Sequence, residues 1–144
     1  AKQNQVPVPA WNRLQKNETV TMEGVEYTPD MVLGAPRKGL KVTYCTDTRP
    51  VPEIAQMAKG SDLFICEGMY GEPEMAAKAR ENRHMTFTEA AELAKEAGVA
   101  ELWLTHFSPS LVRPDLYIKE ARDIFPYTKP GKNRKTRTLV FDKD

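Results

Sequence analysis

Along the first third of the chain, apolar residues come in short bursts. Thr19–Met22, Val25–Tyr27 and Met31–Leu33 read as three brief strands. Glu23-Gly24 and Thr28-Pro29-Asp30 separate them as turn signals. A small antiparallel meander is predicted there. The stretch Ala1–Ala10 is polar with two prolines and reads as a loop or arm. After Gly39 the pattern changes. Leu40–Thr46 is β-rich, and Pro50 and Pro52 stop it. Ile54–Ala58 suggests a short helix ending near Gly60. Asp62–Cys66 is a near-continuous apolar run, the signature of a strand covered on both faces.

Helical periodicity dominates next. Alanines support a helix over Glu74–Arg80. A second helix starts at Thr86, where Glu89 three residues on completes a capping box. Ala90, Leu93, Ala94 and Ala97 share one of its faces, and Gly98 ends it. Leu102–Thr105 reads as a buried strand and Pro114–Ile124 as a helix with proline in its first turn. Thr136–Phe141 reads as a last strand, at an edge. Strand and helix alternate through this region, which predicts an α/β layered fold. The expected division is residues 1–40 against residues 41–144.

Composition narrows the class. The 144 residues suit one hydrophobic core, and 40% hydrophobic with 28% charged residues argues against wholesale disorder. No apolar run reaches the roughly 20 residues that cross a bilayer, and the start has no signal-peptide pattern. The expected location is cytoplasmic. A net charge of +1 lacks the basic excess of many nucleic-acid binders, so any RNA contact is expected to be local. The two cysteines, Cys45 and Cys66, both fall in strand-like runs. They read as small buried thiols of a reducing compartment.

Three polar clusters sit where layered α/β proteins gather ligands, beyond strand ends or ahead of a capped helix. They are Thr46–Pro50, Arg83–Thr86 and Thr105–Pro109. Asp47, His84 and His106 carry donors suited to zinc and similar metals. On spacing alone, a hydrogen-bonded turn aspartate and partly buried, satisfied histidines are the favoured reading of the same residues. Glu67 is either a solvated or capping carboxylate or the partner of His84 in an acid–base pair. Lys129–Arg137 is basic, as are Arg37 and Lys38. These stretches are either solvated, with charge protecting a sheet edge, or contacts for RNA phosphates.

Taken together, the clusters resemble a known family. Tyr44-Cys45-Thr46-Asp47-Thr48-Arg49-Pro50 is similar to the ribonuclease Z motif in which a strand leads to a metal-bridging aspartate and then Thr-Arg-Pro. Asp62–Gly68 resembles the strand that delivers the family's catalytic glutamate. His84-Met85-Thr86 resembles its His-Ser-Thr element, and Leu104–Ser108 its last metal-ligand motif. The match is good from Gly39 to Pro109 and fainter from Trp11 to Leu33. The chain thus resembles the C-terminal half of ribonuclease Z, in the metallo-β-lactamase superfamily.

The resemblance implies half of an αββα sandwich, a mixed sheet with helices on one face over residues 41–144. Residues 1–40 would hold the meander and the base of a tRNA-gripping arm. Asp47 would bridge two zinc ions, His106 would ligate one, and Glu67 with His84 would protonate the leaving oxygen. Thr86 would cap the helix behind His84. The reaction implied is endonucleolytic 3′ processing of precursor tRNA. The family's H-x-H-x-D-H motif and a further histidine are absent, so the chain is expected to be inactive alone. An N-terminal half of the same fold is the expected partner, with homodimer formation through a bare sheet face. Gly68-Met69-Tyr70 and Met85 depart from the commonest family forms. They keep open a hydrolase for another ester or phosphodiester, or a non-catalytic interaction module.

Overall fold

The computed structural model describes residues 5–35 and 38–141, and the chain divides into two compact units that meet in sequence at Lys38 and Gly39. In the first unit, helix α1 (Val8–Gln15) opens with a proline in its first turn, the one place where a missing N–H is harmless. Ala10 and Leu14 on one side of it are fully buried against Val6 and Val20. Strands β1 (Val20–Met22) and β2 (Val25–Tyr27) pair antiparallel. The turn between them puts both Glu23 (φ 52°) and Gly24 (φ 79°) in the left-handed region, the geometry that matches the twist of a tight hairpin.

Two expectations fail in this unit. The loop expected over Ala1–Ala10 instead gives way at Val8 to a helix that runs to Gln15, because Ala10, Trp11 and Leu14 share a side that the polar neighbours obscure. Met31–Leu33 is not a third strand; Pro29–Met31 forms a 3-10 turn begun by the proline.

The second unit alternates β3 (Val42–Cys45), α2 (Pro52–Ala58), β4 (Leu63–Glu67), α3 (Ala76–Glu81), α4 (Phe87–Ala97), β5 (Leu102–Thr105), α5 (Ile118–Ile124) and β6 (Thr128–Pro130). The strands lie in the order β3-β4-β5-β6 and all three pairings are parallel, where a mixed sheet was expected. Strand order equal to chain order has a consequence. Crossovers of one hand then place every helix on the same face. On that face Phe64, Cys66, Leu102 and Leu104 are fully buried in one core with Ile54, Phe87, Leu93, Ile118 and Ala121. The opposite face is bare at the β3 edge, with Val42 and Tyr44 54% and 65% exposed.

Helix α4 is bounded as its sequence predicts. Thr86 and Glu89 form a reciprocal capping box, and Gly98 at φ 59° closes the helix in the left-handed conformation. The helix expected at Glu74–Arg80 is a 3-10 turn, Pro73–Met75, followed by α3. That expected over Pro114–Ile124 is likewise a 3-10 turn, Pro114–Leu116, followed by α5. The last strand is also corrected. Thr136–Phe141 is irregular, and β6 lies earlier, at Thr128–Pro130, where it pairs with Leu102–Leu104. A β-rich composition at 136–141 does not make a strand without a ladder partner.

Candidate active site

The carboxyl ends of β3, β4 and β5 lie side by side because the strands are parallel and in near register. Cys45 is level with Cys66, and Glu67 with Thr105. Each strand hands its chain to a polar residue at that end. Asp47 follows β3 with φ 54° and His106 follows β5 with φ 55°, and Arg83, just before His84, has φ 62°. Left-handed backbone is costly for residues with a Cβ, on the order of 1 kcal/mol each, and aspartate and histidine tolerate it better than most. These kinks turn Asp47 and His106 toward each other. His106 Nε2 lies 3.5 Å from Asp47 Oδ1, and the ring of His84 stands 5.4 Å from that of His106 between centroids.

Glu67 ends β4 and is fully buried. A buried carboxylate needs donors, and three converge on it. The Thr48 N–H donates to Oε1 at 2.5 Å, the Met85 N–H donates to Oε2 at 3.2 Å, and His84 Nδ1 meets Oε2 at 3.0 Å. The next residue, Gly68, has no room for a side chain, since a Cβ there would come within 2.8 Å of the Phe87 ring. Any other residue would force the Phe87 ring or the end of β4 to shift.

One member of the site had no role assigned from sequence. Arg49 donates both terminal nitrogens to the Glu89 carboxylate and also bonds the His84 carbonyl. It ties the loop carrying Asp47 to the backbone of His84 and to the cap of α4. Burial pushes the Glu89 carboxyl up, but the hydrogen bonds from Arg49 and Thr86 and the guanidinium charge outweigh it, and the net shift is downward. The signal was present as the Thr-Arg-Pro after Asp47, yet nothing in the sequence pairs Arg49 with Glu89, 40 residues on.

Asp47, His84 and His106 each offer a ligand atom, and these atoms all lie within 4.8 Å of one another. Ligands bound at about 2.1 Å in tetrahedral array sit about 3.4 Å apart, so the 3.5 Å between Asp47 and His106 suits a shared ion. One oxygen and two nitrogens are borderline donors that fit a zinc-like divalent cation. Among the described residues, they supply three positions where a closed tetrahedral site needs four.

The basic segment divides. Lys129 pairs with Glu101 at 2.9 Å. Lys135 lies 4.4 Å from the centre of the Trp103 ring and donates to the Pro130 carbonyl, and burial together with Lys129 and Lys132 holds its pKa down. Lys132, Asn133 and Lys135 line a cavity of about 440 Å³ that His106 also borders. Arg37 lies outside the described residues.

Comparison with known proteins gives the family. The sequence model of the β-lactamase superfamily domain matches residues 3–107. A protein named ribonuclease Z from Lachnoclostridium phytofermentans is 63% identical over 144 residues, all of this chain and 47% of that protein. Another of that name from Clostridioides difficile is 49% identical over 142 residues, 99% of this chain and 47% of that protein. The chain therefore spans about half the length of the curated relatives it matches. Among solved structures, the metallo-β-lactamase fold protein YhfI from Bacillus subtilis is 30% identical with a TM-score of 0.55, over 63% of this chain and 36% of that one. The short form of human tRNase Z is 22% identical with a TM-score of 0.56, over 71% of this chain and 34% of that one, a likeness of fold.

Proposed function

The chain belongs to the β-lactamase superfamily domain family, and we propose that it supplies one wall of the two-metal site of a ribonuclease Z, an endonuclease that matures the 3′ end of precursor tRNA. The observation that carries this reading is the meeting of Asp47, His84 and His106 at one sheet rim with Glu67 buried behind them. The ribonuclease Z name shared by relatives at 49–63% identity supports the substrate class.

Asp47 and His106 would hold zinc, with Asp47 between two ions. When bound, the metal pair would activate water near neutral pH and stabilise charge on phosphoryl oxygens. Glu67 fixes His84 through Nδ1, which leaves Nε2 to carry a proton to the leaving oxygen. The chain holds two histidines in all, too few to complete two metal sites. The rest of the ligands would come from the other half of the same fold, seated on the bare face at Val42 and Tyr44. By itself the chain would be inactive and would self-associate through that face. The proposed work on precursor tRNA places the protein in the cytoplasm; no helix among the described residues is long and apolar enough to cross a membrane.

The test compares two proteins on precursor tRNA with zinc. The full-length protein carrying this chain is expected to cleave after the acceptor stem and leave a 3′-hydroxyl. The 144-residue chain is expected to do nothing. Metal-dependent cleavage by the chain alone would overturn the half-site reading. A full-length protein that hydrolyses simple phosphodiesters but leaves precursor tRNA intact would move the assignment to another substrate of the superfamily.

A further inference from the structure

We propose that Cys45 and Cys66 are an oxidative modification site, a thiol pair that closes reversibly to a disulfide directly behind the candidate active site. Two observations carry it. The two residues are direct partners in the parallel β3–β4 ladder, so their side chains leave the same face of the sheet. The Cys66 thiol now donates only a weak bond, to the Met85 sulfur at 3.7 Å, which a disulfide would replace. The accessibility of the two cysteines is unequal, with Cys45 half-buried and Cys66 fully buried. Neither thiol has a place in the proposed reaction.

Adjacent strands run about 4.8 Å apart, inside the Cα separation that a disulfide tolerates. Side chains standing parallel on a ladder hold their Cβ atoms slightly too far apart, so the bond requires local movement. Cys45 can provide it. It is the last residue of β3, and β3 is paired on one side only among the described residues. A disulfide formed under such strain is readily reduced, the behaviour of labile and sensing bonds in a reducing compartment.

The oxidant is a hydroperoxide. The Cys45 sulfur attacks the peroxide oxygen and the O–O bond breaks. The alcohol or water leaves with the thiol proton, and Cys45 becomes a sulfenic acid. The Cys66 sulfur then displaces that hydroxyl. The S–S bond forms, and the Cys66 proton leaves in a water molecule. The sum is two thiols and one peroxide giving one disulfide, with two hydrogens lost from the protein. Cys45 lies two residues before Asp47, and Cys66 immediately precedes Glu67. The bond would tie together the two strand ends from which the site is built.

The experiment needs neither metal nor tRNA, so it stands or falls apart from the proposed function. The full-length protein is exposed to equimolar hydrogen peroxide and denatured with N-ethylmaleimide, and its proteolytic peptides are mapped without reductant. The expected result is a joined pair of peptides containing Cys45 and Cys66, about 2 Da below their sum and separated by dithiothreitol. Protein unfolded in urea before the same dose should yield about tenfold less of the link, because only the fold aligns the thiols. In Cys45→Ser, a mild change at a half-buried position, Cys66 should stay fully reactive to maleimide after denaturation. Maleimide on both cysteines of the treated native protein would overturn the proposal. So would overoxidised Cys45 beside a free Cys66, or oxidation of Cys66 in Cys45→Ser at the native rate.

Discussion

Two acid–imidazole pairs stand within a few ångströms of each other and are built differently. Glu67 and His84 form the inner pair. The carboxylate is wholly buried, the ring is 19% exposed, and two backbone N–H groups besides the ring complete the carboxylate's bonding. Asp47 and His106 form the outer pair, 65% and 37% exposed, separated by 3.5 Å and held by strained backbone rather than by packing. The inner pair belongs to the fold and would persist in any state that keeps the sheet. The outer pair costs the fold strain and returns little by itself, as the proposed role in holding an ion would require. Stability and proposed chemistry should therefore separate along this line.

The largest effect is expected at the inner pair. Glu67→Ala strands the Thr48 and Met85 N–H groups in the interior and should destabilise the protein by about 3–5 kcal/mol, read from the urea midpoint. A change within experimental error would show that the inner pair is not part of the core. Next comes the tie between the pairs. Arg49→Ala removes a forked ion pair whose members keep 25% and 18% exposure, and solvent screening limits its loss to about 1–2 kcal/mol. Arg49→Lys should recover little of it, since a point charge cannot reproduce the fork.

The outer pair should respond in the opposite direction. Asp47→Gly relieves left-handed strain and is expected to leave stability unchanged or raise it by about 0.5 kcal/mol. Zinc content of the full-length protein, measured by elemental analysis, should fall sharply in the same variant. Loss of stability with zinc retained would reverse the comparison. The smallest effect concerns acid. Glu89 has a depressed pKa in the fold, so its contribution is present above the ordinary glutamate value of about 4.3 and is lost as pH falls through the lower folded value. The urea midpoint should drop more steeply below about pH 4.3 in the native protein than in Arg49→Ala, where part of that depression is gone.

Much of this site could be read from the chain. Asp47 follows a β-rich run and His106 a buried apolar one, and parallel strands bring their carboxyl ends to one rim. The Thr86–Glu89 box and Gly98 fixed α4 because caps are local chemistry. What escaped depended on contacts distant in sequence. Arg49 meets Glu89 only after two crossovers have formed. Thr128–Pro130 carries a proline and three residues, a poor strand by propensity, and pairs because Leu102–Leu104 offers it a free edge. Thr136–Phe141 has the better composition and no ladder. The first helix hid because its buried side consists of Ala10 and Leu14 among polar neighbours.

The Glu89 carboxylate serves two structures at once, closing the first turn of α4 and gripping Arg49. Fraying of that turn cannot stay local. When the Thr86 amide loses its acceptor, the arginine loses its anchor, and the loop bearing Asp47 slackens in the same event. Deuterium should therefore enter at Thr86 and at Thr48 with a common opening rate, although they lie 38 positions apart in the chain.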